Sequence, residues 1–121
     1  VSDYVKFLRD TSPYINAHRG KTFVLAIGGE GVAHANFTNI IHDIALLHSL
    51  GIKLVLVHGA RQQIEERLSH CAIEPNFNHQ TRITDSATMA CVKDAVGSTR
   101  IGVEAKLSTG AVNSPMHGAR I

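Results

Sequence analysis

Phe23-Val24-Leu25-Ala26-Ile27 runs into Gly28-Gly29-Glu30-Gly31, and further along Lys53-Leu54-Val55-Leu56-Val57 runs into His58-Gly59-Ala60-Arg61. Both are short apolar runs that end on glycine, the pattern of a buried strand followed by a tight turn. Between them lies Phe37 to Leu50, whose Ile40, Ile41, Ile44, Leu47 and Leu50 recur at helical spacing, with Gly51 as the stop signal. Strand, glycine turn, helix, strand, glycine turn is a βαβ unit, which places both turns at the same end of a parallel sheet. Ligands of such sheets bind where the strands end, so both turns are expected to face one site. The fold class read from this unit is α/β. The first strand, residues 22 to 27, is apolar on both faces and is expected to be buried as a central parallel strand.

Outward from this unit, residues 2 to 18 read as a helix with Val5, Leu8 and Ile15 on one stripe and Ser2 or Asp3 as cap. Pro13 is expected to kink that helix or divide it. The helix precedes the first strand and has little core to cover, so it is a candidate oligomer contact; packing on its own domain is the other reading. A third helix is expected from Ala60 to Ser69 with Ile64 and Leu68 inward. Pro75, Asn76 and Asn78 mark a loop, and Thr84 before Asp85 is expected to cap a helix through Met89, Val92 and Val96. After Gly97 two periods compete. Ile101, Val103, Ala105 and Leu107 alternate as in a strand, whereas Val96, Val103 and Leu107 keep a helical stripe; helix is the preferred reading. Ser108 to Ile121, with Gly110, Pro115 and Gly118, reads as a loop entering another element.

The 121 residues suffice for one modest core, and 44% apolar with 18% charged residues is an ordinary globular balance. A net charge of +2 without a basic cluster gives no reason to invoke nucleic acid or an anionic membrane. No apolar run approaches the ~18 residues of a membrane span. No basic-then-apolar leader opens the chain, and Val1 in first position reads as a processed or excerpted sequence. Cys71 and Cys91 fit no C-x-x-C pattern and read as reduced thiols in a reducing compartment, with a Cys71–Cys91 disulfide as the alternative. The expected location is cytoplasmic.

Gly28, Gly29, Gly31 and Gly59 let backbone approach a ligand, and their N–H groups suit an anion at the positive end of a helix that starts near Ala60. Neither GxGxxG nor GxxxxGK[ST] is present, so the dinucleotide and P-loop signatures both fail. His58 sits at the mouth of the second strand and is a candidate for substrate carboxylate or phosphate. Arg61 in the second turn and Arg82 before Thr84-Asp85 are candidates to fork onto a carboxylate, against the plainer reading of surface arginines. Eight histidines do not make a metal site here: there is no H-x-x-x-H and no zinc-spaced His/Cys group. His42 and His48 are offset by about 120° on a helix.

Together these segments resemble the amino-acid kinase family. Its kinases end the first strand in Lys-x-Gly-Gly and the second in a His-Gly-Gly-Gly-Pro-like turn, and open a later helix with Arg-x-Thr-Asp. The equivalents here are Ala26-Ile27-Gly28-Gly29, His58-Gly59-Ala60-Arg61-Gln62-Gln63-Ile64 and Arg82-Ile83-Thr84-Asp85. The resemblance implies a parallel-sheet three-layer sandwich, incomplete here, with an N-terminal helix over residues 1–20 and the kinase-like portion over 21–121. Within that family, Pro13-Tyr14-Ile15-Asn16, His18 through Val24, Gly28-Gly29-Glu30, Asp43-Ile44, Leu46 through Ile52 and Gly59-Ala60-Arg61 are similar to the bacterial N-acetylglutamate synthase branch.

Members of that branch join a kinase-like domain to a C-terminal acetyltransferase domain, expected here beyond the chain end. They make N-acetyl-L-glutamate from L-glutamate and acetyl-CoA, the first step of arginine biosynthesis, and L-arginine inhibits them through the kinase-like domain. The resemblance therefore implies acetyl-CoA as a substrate of the full-length protein, no cofactor held by this segment, no metal, and a homo-oligomer assembled through the N-terminal helix. It leaves Tyr14 as the nameable contributor to an arginine site, against the plainer reading of a packed helix tyrosine, and places the catalytic residues for acetyl transfer outside this segment. One departure matters physically. Phosphoryl transfer relies on positive charge at the moving phosphate, and the kinase lysine position holds Ala26. The second turn has become Ala60-Arg61-Gln62, whose side chains restrict backbone approach to a triphosphate. The expectation is a kinase fold without phosphoryl transfer; an active acetylglutamate kinase and a non-enzymatic amino-acid-sensing module are the alternatives.

Overall fold

In the computed structural model, which describes residues 2–74, 77–82 and 84–109, β1 (Thr22–Ile27) and β2 (Lys53–His58) pair in parallel from Thr22–Lys53 to Ile27–His58. Parallel neighbours need a crossover, and α2 (Gly29–Ala33) with α3 (Phe37–Ser49) supply it. The crossover ends at Leu50, and Gly51, at φ +89°, turns the chain into β2 in a left-handed conformation that suits glycine. This is the α/β, parallel-sheet architecture the glycine-terminated runs predict, with the sheet incomplete. The short α2 was not foreseen.

One face of the sheet carries the core. Phe37, Ile41 and Ile44 of α3 and Val103 of α5 (Ser86–Thr109) are buried together, with Leu25, Ile27, Leu54, Leu56, Ile40 and Leu107 packed around them. Phe37 is fully buried and its ring lies 5.1 Å from the Lys106 ammonium. Truncating such a residue to alanine costs about 3–5 kcal/mol. The expectation of a first strand buried on both faces is corrected. Burial alternates along both strands, and Val24 (66% exposed), Val55 and Val57 (52%) face outward. Both core helices lie on the same side, and no described element covers the other.

α4 (Arg61–His70) follows the second glycine turn and packs against α5, with Leu68, Thr88 and Ala95 buried along that contact. β3 (Phe77–Asn78) and β4 (Thr81–Arg82) form a small antiparallel hairpin where a loop was expected, turning at His79 and Gln80, both at positive φ. Pro75 and Asn76 of that predicted loop lie outside the described residues. The cap of α5 is Asp85 rather than Thr84: its carboxylate accepts from the Thr88 N–H at 2.8 Å, one residue later than predicted. α5 then runs unbroken to Thr109, about 36 Å at 1.5 Å per residue. That resolves the segment after Gly97 as helix and takes Ser108 and Thr109 out of the predicted loop. The rest of that loop lies outside the described residues.

α1 (Asp3–His18) is one continuous helix with Pro13 inside it, so it is not divided in two. An interior proline removes the bond its N–H would make one turn back and crowds the carbonyl there, yet the helical turns continue on both sides of it. Ser2 caps the start of the helix, and just before Pro13 the Thr11 and Ser12 hydroxyls donate to the Phe7 and Leu8 carbonyls at 2.7 Å. No α1 residue is buried; Tyr4, Phe7, Leu8 and Tyr14 are exposed. At 100° per residue Tyr4, Phe7, Leu8, Thr11, Tyr14, Ile15 and His18 share one stripe of about 120°. The helix reaches the sheet through the Gly20 N–H, which donates to the Gly51 carbonyl at 2.8 Å, and through an edge-to-face contact of His18 on Phe23.

Candidate functional site

The two glycine turns meet, as the βαβ reading requires. The Gly59 N–H donates to the Ile27 carbonyl at 2.8 Å, extending the β1–β2 ladder by one bond into the turns. A Cβ on Gly59 would stand 3.2 Å from the Gly29 nitrogen and 3.6 Å from the Gly28 Cα, so the two turns are in backbone contact. Gly29 is buried between them, and a Cβ there would lie 2.5 Å from Gln63 Oε1 and 3.0 Å from the Arg61 nitrogen. Gln63, from the first turn of α4, donates Nε2 to the Gly29 carbonyl at 2.8 Å, while its Oε1 is buried without a hydrogen-bond partner. Gln63 thus bolts α4 to the first glycine turn. A glutamine early in a helix carries no signal of its own in the sequence.

The charges around the turns are arranged against an anion. Glu30 folds back so that its carboxylate covers Gly28: a Cβ at Gly28 would stand 2.8 Å from Oε1 and 2.9 Å from Oε2. The acidic group therefore lies directly against the first glycine turn. Ala26 lies on the open face of β1, paired in register with Val57, and brings no charge. Arg61, the one basic side chain in the second turn, is directed elsewhere. Its Nε donates to Glu65 at 3.2 Å, and its guanidinium lies 5.5 Å from the centre of the Phe77 ring. An exposed pair of this kind contributes little to stability, but it fixes where the charge points.

Of the predicted residues, Gly28, Gly29, Gly59 and His58 come together at the carboxyl end of the sheet. His58 pairs with Ile27 and falls on the helix-covered side of β2, half-buried, with Nδ1 3.2 Å from the Gly59 carbonyl oxygen. Arg61 stands at the rim and faces the hairpin. The Arg82 backbone pairs with Phe77, so the hairpin carries that position to the neighbourhood of Arg61. Just beyond it, the Asp85 carboxyl is held below its ordinary value, first by the Thr88 backbone hydrogen bond and then by the Thr88 hydroxyl. Tyr14 is not part of this group. Its helix joins the sheet at the amino ends of the strands, about 20 Å of strand from the glycine turns. Among the described residues no three His, Cys, Asp or Glu side chains are placed to hold a metal ion.

This arrangement can support two packed turns; among the side chains described at the turns, Ala26 brings no charge and Arg61 is paired with Glu65. Residues 21–118 match the amino acid kinase family. Over all 121 residues the chain is 58% identical to an amino-acid acetyltransferase of Ectopseudomonas mendocina and 58% identical to one of Azotobacter vinelandii. It spans 28% of the length of each. Among solved structures it is similar to N-acetylglutamate synthase from Neisseria gonorrhoeae complexed with coenzyme A and N-acetyl-glutamate. That likeness has a TM-score of 0.73 and 31% identity over 92% of this chain and 26% of the other. The same enzyme complexed with coenzyme A and L-arginine aligns with a TM-score of 0.71 and 28% identity, over 99% of this chain and 27% of the other.

Proposed function

The chain belongs to the amino acid kinase family, and from that premise we propose that it is the kinase-like, regulatory N-terminal part of an N-acetylglutamate synthase. The full-length protein would transfer the acetyl group of acetyl-CoA to L-glutamate, with L-arginine as inhibitor and catalytic residues outside this segment. Residues 1–20 form the N-terminal arm and 21–121 the opening portion of the kinase-like domain, with an acetyltransferase domain to follow.

The observation that carries this reading is the disarmed glycine-turn pair. The backbone frame of a phosphate site persists in Gly28, Gly29 and Gly59, while Ala26 supplies no cation and the Glu30 carboxylate lies over Gly28. An anionic phosphoryl group brought there would meet a negative charge, the reverse of what phosphoryl transfer needs. Similarity of all 121 residues to the corresponding part of amino-acid acetyltransferases supports the proposal. Gly28, Gly29, His58, Gly59, Arg61 and Arg82 then form a vestigial ligand site, and Tyr14 belongs to the arginine-responsive arm.

The exposed aromatic stripe of α1 supports a homo-oligomer built through that helix. Among the described residues no helix is long and apolar enough to cross a membrane; the expected compartment is the cytoplasm. The test follows free CoA thiol from acetyl-CoA and glutamate with the full-length protein, with and without arginine. Thiol release suppressed by arginine supports the proposal; no thiol release under saturating substrates refutes it.

A further inference from the structure

The two cysteines take no part in the glycine turns, yet the fold sets them side by side. Cys71 terminates α4 and Cys91 lies in the second turn of α5. The α4–α5 contact, with Leu68, Thr88 and Ala95 buried in it, holds those two positions opposite each other. The Cys91 thiol donates to Cys71 Sγ at 3.0 Å; Cys71 is exposed and Cys91 half-buried. A disulfide has its sulfurs about 2.05 Å apart, so closing this pair takes a movement of about 1 Å. Sulfurs 20 positions apart in sequence and this close in space form a different feature from a single reactive thiol.

We propose that Cys71 and Cys91 are a modification site: a reversible disulfide, formed by exchange with a small-molecule disulfide oxidant, that staples the end of α4 to the start of α5. Cys71 is the attacking sulfur. It is the more exposed of the two, and it accepts the hydrogen bond that keeps the proton on Cys91. The Cys91 thiol is pushed above its ordinary value, first by that hydrogen bond, then by burial and by the nearby Cys71 and Asp94, with Arg67 acting the other way. In the first step the Cys71 thiolate attacks the oxidant, forming a mixed disulfide and expelling one thiolate. In the second, Cys91 gives its proton to solvent, its sulfur attacks Cys71 Sγ, and the second thiolate leaves. Two S–H bonds are lost, one S–S bond forms, and the oxidant is reduced to two thiols.

The ring so closed contains the β3–β4 hairpin, with Phe77 under the Arg61 guanidinium and Arg82 paired to Phe77. Oxidation therefore restrains the segment that borders the second glycine turn, and reduction frees it.

The test uses the full-length protein, reduced and then exposed to excess oxidised glutathione, alkylated, and digested with trypsin without reductant. Cleavage after Arg67, Arg82 and Lys93 puts Cys71 in the peptide 68–82 and Cys91 in the peptide 83–93. The expected major product is those two peptides joined, separated again by dithiothreitol. Cys91→Ser is expected to accumulate a stable glutathione adduct on Cys71, and Cys71→Ser to modify Cys91 at least fivefold more slowly. Separate glutathione adducts on both sulfurs of the native chain, or two free thiols, overturn the proposal. Equal adduct rates in the two variants overturn the assignment of Cys71 as the attacking sulfur.

Discussion

Substituting Gly29→Ala tests whether the two glycine turns form one interlocked unit. The new Cβ would stand 2.5 Å from Gln63 Oε1, 3.0 Å from the Arg61 nitrogen and 3.1 Å from the Ala60 Cα. The first of these can be relieved only by moving the Gln63 side chain. That movement gives up the bond to the Gly29 carbonyl, at a net cost of about 1 kcal/mol. The other two neighbours are backbone, so relief there means pushing the start of α4 off the first turn, an overpacking cost of about 1–3 kcal/mol. The sum is about 2–4 kcal/mol, which lowers Tm by about 4–16 °C in a domain of ordinary size. Differential scanning fluorimetry on the full-length protein reads it. Gln63→Ala removes the nearest obstacle, so the double variant is expected to be more stable than the sum of the single losses allows, by about 1 kcal/mol or more. A Tm within 1 °C of the native protein for Gly29→Ala, or strict additivity in the cycle, would refute the interlock.

Three further outcomes follow from the same geometry. Ala26→Lys alone is expected to give no ADP release from ATP with N-acetylglutamate, because the Glu30 carboxylate still covers Gly28; ADP above the native background in a coupled assay contradicts this. Asp85→Ala is expected to lower Tm at neutral pH. The Asp85 pKa is lowered in the folded chain, so its stabilisation is present above the ordinary carboxylate value and is lost as pH falls through the lowered one. The Tm gap between native and variant therefore narrows in acid, and a gap that stays constant from about pH 7 to about pH 2 would rule out the carboxylate cap. Removing residues 2–18 from the full-length protein is expected to reduce the mass seen by light scattering and to weaken arginine inhibition; unchanged mass with unchanged inhibition contradicts the role given to α1.

Period and punctuation made the βαβ unit legible. β1 spans Thr22–Ile27 as the apolar run predicts, and Gly51 stops the crossover helix where a left-handed residue is needed. Features that depend on partners distant in sequence were not legible. α2 is opened by Gly29 and contains Gly31, which lower helix propensity, and it persists because Gly29 is clamped by α4. The hairpin turns at His79-Gln80, which carries none of the Asn-Gly chemistry that announces such turns. Gly97 and Gly102 disturb the helical period of α5, yet packing of Ala95 and Val103 holds the helix through them. In the site, the glycines and His58 were visible as the ends of strands. Glu30 and Gln63 were not, because their roles come from where one carboxylate and one amide fold back in space.

The most direct measurement of the central claim is ADP release by the native full-length protein supplied with ATP, magnesium and N-acetylglutamate, read beside the thiol assay on the same preparation. The account predicts thiol release from acetyl-CoA and no ADP above the buffer blank, since among the described residues Ala26 brings no charge, Arg61 is paired with Glu65, and the Glu30 carboxylate covers Gly28. ADP released in proportion to N-acetylglutamate phosphorylated would contradict it, and would mean that a positive charge reaches these turns from another part of the protein.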